Sequence, residues 1–106
     1  MLNSIYSLYD RKSQYYLPVF NLRKDADAIR QFTEIVTSSD TLVSRYPADY
    51  DLVRLAEIDV STGQVLPLDH VHIVLNGLVC LENAQRERHR YATILSQGAE
   101  QTATDA

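Results

Sequence analysis

The sequence contains only three glycines and one cysteine, and each scarcity excludes a kind of chemistry. With Gly63, Gly77 and Gly98 far apart, there is no glycine-rich loop to cradle a phosphate. A lone cysteine excludes an intramolecular disulfide and any multi-cysteine metal site. Cys80 lies in the apolar run Leu78-Val79-Cys80-Leu81 with no cation beside it in sequence to activate it, so a buried structural thiol in a reducing compartment is expected. No Cys-x-x-Cys or His-Glu-x-x-His pattern occurs, and no serine sits in a nucleophile-elbow setting. The expectation is therefore a protein that is not an enzyme and needs no cofactor. No stretch approaches the roughly 18 consecutive apolar residues of a membrane span. The first residues also lack the charged and apolar regions of a signal peptide. No membrane association is expected, and the chain should stay in the cytoplasm where it is made.

The 106 residues suffice for one domain, and 45% hydrophobic with 23% charged residues is the balance of an ordinary globular chain. A domain of this size buries only about two-thirds of the surface exposed by its unfolded chain. Association adds burial, so a homo-oligomer is expected. The net charge of −4 is unevenly spread: residues 1–24 sum to +3, residues 25–81 to −6 and residues 82–106 to −1. Positive clusters thus flank an acidic middle.

The fold class expected is α+β: an antiparallel sheet built from hairpins, one amphipathic helix packed on it, and a C-terminal polar helix. Ser4 to Tyr9 and Gln14 to Phe20 are rich in strand formers and flank a polar turn, which predicts a hairpin whose second strand ends near Pro18 or lies at a sheet edge. Ala28, Ile29, Phe32, Ile35 and Val36 recur at helical spacing behind Asp25 and Asp27, acids suited to a helix N-terminus. Thr41 to Arg45 suit a short extra turn. Tyr50 to Asp59 reads as a strand, with a turn at Val60 to Gly63 and a short return at Gln64 to Pro67. His70 to Leu75 and Leu78 to Leu81 flank Asn76-Gly77, the dipeptide best suited to a tight hairpin turn, so a third hairpin is expected, with a short buried helix as the alternative. The core is expected over residues 1–82, a basic helix over 83–97 and a disordered polar tail over 98–106.

Three constellations are candidates for function. Asp69-His70-x-His72 places two histidines on one face of a strand, a partial metal-ligand set without a third partner; a solvated polar face is the plainer reading. The acids Asp49, Asp51, Glu57 and Asp59 can be read as an acid pair or a magnesium site, but they lie at strand ends beside turns, where solvation is the ordinary role. The first hairpin interleaves Tyr6, Tyr9, Tyr15, Tyr16 and Phe20 with Arg11, Lys12, Arg23 and Lys24. Aromatic platforms beside cations hold single-stranded nucleic acid by base stacking and phosphate attraction. Alternation sends Tyr6 and Tyr9, and likewise Tyr15 and Tyr16, to opposite faces, and cross-strand packing is the competing reading. Arg86, Arg88 and Arg90 form a second cluster on a helix, with Arg86 and Arg90 on one side and Glu87 near enough to pair with Arg90.

The order of motifs adds a resemblance. Ile5-Tyr6-Ser7-Leu8-Tyr9-Asp10-x-Lys12, Pro18-Val19-Phe20, Ala28-Ile29-Arg30-Gln31-Phe32, Tyr46-Pro47-Ala48-Asp49-Tyr50-Asp51-Leu52 and Ala56-Glu57-Ile58-Asp59-x-x-Thr62-Gly63 resemble the small nonstructural protein of gokushoviruses, single-stranded DNA bacteriophages of the Microviridae. The likeness covers roughly residues 4–68, with Ile58 where phenylalanine is commoner, and residues 69–106 fall outside it. It implies a DNA-binding protein of the replication stage in the host bacterial cytoplasm, favouring the shift to single-strand synthesis and packaging. Single-stranded DNA, bound without sequence preference, is then the expected partner. Tyr9, Arg11, Lys12, Tyr15, Arg23 and Lys24 are the expected contacts, helped by Arg86, Arg88 and Arg90. The alternative is an assembly or host-interaction module that touches a phage or host protein and no nucleic acid.

Overall fold

A computed structural model describes residues 1–38 and 40–105, with side chains described as far as residue 97. The chain runs β1 (Leu2–Asp10), β2 (Tyr15–Tyr16), β3 (Phe20–Leu22), α1 (Asp25–Thr37), α2 (Leu42–Arg45), a 3-10 turn (Pro47–Asp49), β4 (Tyr50–Asp59), β5 (Val65–Asn76) and α3 (Gly77–Asp105). This is the expected α+β class: an antiparallel sheet in the order β2-β1-β4-β5, with β3 also on β1.

β1 pairs with both β2 and β3 along one edge, because it is long enough to meet both halves of the returning chain, and with β4 along the other. Tyr9 and Asp10 pair with Tyr16 and Tyr15, while Ser4 to Tyr6 pair with Leu22 to Phe20. The returning strand breaks at Leu17-Pro18-Val19, where Pro18 has no N–H for the ladder. The interruption is held in place: the Leu17 N–H donates to the Leu8 carbonyl at 2.9 Å, and the Ser7 hydroxyl donates to the Leu17 carbonyl at 2.6 Å. At the first turn, Gln14 adopts φ 60°, and the Asp10 carboxylate accepts the Lys12 and Ser13 N–H groups at 3.0 and 3.1 Å.

α1 buries Ala28, Phe32 and Val36, one per turn, against Tyr6 and Leu8 of β1 and Tyr50 and Leu52 of β4. Ile29 and Ile35 widen its apolar face, and Cys80 closes the same core from α3. Tyr6 is fully buried, stacks with Phe20 at 5.9 Å, and donates its hydroxyl to Asp25 Oδ1 at 2.6 Å. Arg54 approaches the same carboxylate at 3.4 Å, tying the start of α1 to both central strands.

The sequence expectation fails at the third hairpin. Residues 65–76 form one edge strand, whose pairing with β4 is interrupted between Pro67 and His72, and Asn76-Gly77 starts a helix. The Asn76 side-chain oxygen accepts the Leu78 N–H at 2.9 Å, an N-terminal cap, while its amide donates to the Ala48 carbonyl at 3.1 Å and to Asp51 at 2.9 Å. Gly77 is there for space: a Cβ would lie 2.2 Å from the Pro47 carbonyl oxygen. The arginine-bearing helix therefore begins at Gly77, inside the expected core. The polar tail expected over 98–106 falls outside the described side chains.

Only the start of α3 packs on the body; from Gln85 to Gln97 every residue is exposed. The molecule is consequently elongated, 61 × 35 × 22 Å, with a radius of gyration of 18.0 Å. A compact domain of this length would have about 13 Å. Among the described residues, no helix is long and apolar enough to cross a membrane.

Candidate nucleic-acid interface

Alternation along β1 and β4 divides the sheet. Leu8 and Leu52 face α1, so Tyr9 and Val53 face away from it. The register of the first hairpin then sets Tyr16 opposite Tyr9, and their rings meet at 4.7 Å between centroids with planes tilted by 40°. Tyr15, the next residue, points to the helix side by the same alternation. Edge strand β5 adds Val71 and Ile73, the latter 61% exposed. Tyr9, Arg11, Tyr16, Asp51, Val53, Val71 and Ile73 line an open groove of about 390 Å³ on the helix-free face.

Charge sits at one end of this groove. The backbone N–H of Arg11 donates to the Asp49 carbonyl at 2.8 Å, and its guanidinium reaches the Ala48 carbonyl at 3.5 Å and Asp51 at 4.0 Å. Asp51 is buried and also accepts from Asn76, so the groove floor holds a carboxylate whose charge Arg11 offsets. Lys12 projects from the adjoining turn and is exposed. Beside it the carboxyl of Asp10 is held below its ordinary range, chiefly by the Ser13 backbone N–H that it accepts.

The nine expected contacts do not form one patch. Tyr9, Arg11 and Lys12 cluster at the β1–β2 turn. Arg23 and Lys24 lie between β3 and α1, beyond the Ser4–Leu22 pair. Six residues of extended strand separate Ser4 from Asp10, about 20 Å at the usual rise. Arg86, Arg88 and Arg90 stand on the projecting part of α3, with Arg90 3.9 Å from Glu87. Sequence reasoning did not single out Val53, Val71 and Ile73 for this groove. The visible signal for them was period-two alternation in β4 and β5, but the misread hairpin hid the register that brings Ile73 beside Val53.

The histidines do not assemble a metal centre. His70 and His72 are exposed on β5, and among the described residues no three His, Cys, Asp or Glu side chains converge as metal ligands would.

Comparison with known proteins places this geometry in a lineage. Residues 3–80, which comprise the sheet, α1 and the first turn of α3, match the family described as Phage ORF5 protein. The chain belongs to that family. Protein ORF5 of Chlamydia phage 1, a gokushovirus, is 35% identical over 83 residues, covering 74% of this chain and 80% of the relative. No solved structure matches the chain. The projecting arginine-bearing part of α3 lies beyond the residues that match the family.

Proposed function

We propose that this phage protein binds single-stranded DNA without sequence preference on the helix-free face of its sheet. It acts in the host bacterial cytoplasm, during genome replication or at the switch to single-strand synthesis and packaging, and it does so as a binding protein without catalysis. The observation that carries the proposal is the Tyr9–Tyr16 pair, aromatic faces at the surface of an uncovered sheet with Arg11 and Lys12 at the end of the same groove. A sheet face of this kind offers unpaired bases a stacking platform, and the cations take the phosphates. With a net charge of −4, attraction for the backbone is local to such edges and does not spread over the molecule.

Fluorescence titration of single- and double-stranded oligonucleotides at two salt concentrations tests this directly. Binding should favour the single strand and weaken steeply with salt, and Arg11→Ala with Lys12→Ala should lower the salt slope by roughly one per lost phosphate contact. Tyr16→Ala should cost about 1–3 kcal/mol of affinity, the usual worth of one stacked base. Absence of binding at low salt would sink the proposal. A second reading has its own support: Val71 and Ile73 expose apolar surface on the same face, as an assembly module would. Salt-insensitive self-association without any oligonucleotide shift would favour it.

A further inference from the structure

The second half of the described part of α3 has no visible reason to be helical on its own. Tyr91, Ile94 and Leu95 are 63%, 50% and 72% exposed, and at spacings of three and four they form one apolar stripe. That stripe continues the line of Cys80 and Ala84, through which the start of α3 packs on α1. Where the line crosses from covered to uncovered, α1, β5 and α3 leave an apolar groove of about 400 Å³ over Ile29, Thr33, Leu75, Cys80 and Ala84, with Tyr91 at its rim. One molecule thus carries both an unfilled groove and an unburied stripe, on adjoining segments of one helix.

We infer that a second copy of this chain fills the groove, the stripe of each molecule seating on the other in a two-fold symmetric dimer. An antiparallel pairing of two α3 helices about an axis near His89 and Arg90 brings Ile94 and Leu95 of one copy over Ala84 of the other. It also lays Arg88 over the ring of Tyr91 from the second copy, a guanidinium–aromatic contact. Self-complementarity is what such an axis demands, since each copy must offer both the projection and the recess. The charges agree. α1, which flanks the groove, carries Asp25, Asp27 and Glu34 against Arg30, whereas the described part of α3 carries Arg86, Arg88 and Arg90 against Glu82 and Glu87, so the incoming α3 meets a net acidic helix on its α1 side. The groove lies on the helix side of the sheet, so the Tyr9–Tyr16 face stays open in the dimer.

Sedimentation velocity of the full chain over a range of concentrations should give a mass twice 12.1 kDa. Ile94→Glu with Leu95→Glu should shift it to the monomer while circular dichroism keeps the strand signal. A second measurement does not depend on disruptive charges. On a Cys80→Ala background, which removes the native free thiol, Ala84→Cys and Leu95→Cys chains, oxidised separately, hold like thiols about 16 Å apart along the helix by its rise per residue and should not cross-link. Mixed, they should give a disulfide-linked heterodimer. A monomer at every concentration, or a mixture that cross-links no faster than either variant alone, would overturn the inference.

Discussion

Tyr6 shows how one side chain can join the core to the polar frame around it. Its ring is buried against Phe20 and α1, and its hydroxyl reaches Asp25 at 2.6 Å, where Arg54 also converges. Burial, then the hydrogen bond to Asp25, pushes the phenol from its ordinary 10.0 up to about 12. The neutral phenol is therefore the form that the fold prefers. Its contribution is fully present below pH 10 and is lost as pH rises through about 12, so stability should fall on the alkaline side between these values. Absorbance titration should show Tyr50 ionising above its ordinary value because of its burial, and a separate late step at about 12 from Tyr6. Tyr6→Phe should remove that late step and cost about 1.5–3 kcal/mol in urea unfolding, the usual worth of a hydrogen bond to a charged group. A variant whose alkaline transition matches the wild type would show that the pH dependence originates elsewhere.

At the scale of elements, Asn76-Gly77 shows what a local pattern can and cannot specify. The dipeptide favours positive φ at two positions of a hairpin turn, but asparagine is equally a helix cap, and glycine is also the residue that lets one backbone touch another. Pro47, thirty residues earlier in sequence, decides between the uses by leaving no room for a Cβ at position 77. That contact is invisible along the chain, which is why the third hairpin was expected and a strand followed by a helix was found. The elements whose signals were local fared better. The periodicity of α1, the break at Pro18 and the alternation of β4 were all legible, and so was the division of the tyrosines between two faces. Gly63 and Gly77 should therefore respond to substitution for different reasons. Gly63→Ala meets open space but must hold φ +78°, at a cost of about 1–2 kcal/mol. Gly77→Ala must push the Pro47 carbonyl aside, displacing the turn that leads into β4 and the cap at Asn76, and should cost more, about 3 kcal/mol. Equal midpoints for the two variants in urea would mean that the close approach at Gly77 is relieved at no cost.

On the scale of the whole molecule, the charge division read from the sequence has a spatial counterpart. The acidic middle forms most of the body, and the cationic clusters stand at a hairpin turn, at the entry to α1 and on the projecting helix. The candidate contacts were legible as residues but not as a surface, because strand length sets how far apart the two ends of β1 lie, and nothing local announces that α3 leaves the body. The projection makes a clear statement about stability. Residues 85–97 are exposed throughout, so a chain ending at Arg88 keeps Cys80, Leu81 and Ala84 and with them the anchoring of α3 to α1. In dilute solution, its free energy of unfolding should lie within about 0.5 kcal/mol of that of the full chain, as for other surface changes. Concentration should separate the two: the full chain gains stability by mass action as copies associate, whereas the shortened chain lacks the Tyr91, Ile94 and Leu95 stripe and holds a constant midpoint. Urea unfolding of both at several protein concentrations checks this. A shortened chain that is weaker even at the lowest concentration would mean that the arm supports its own core directly, in place of a second copy.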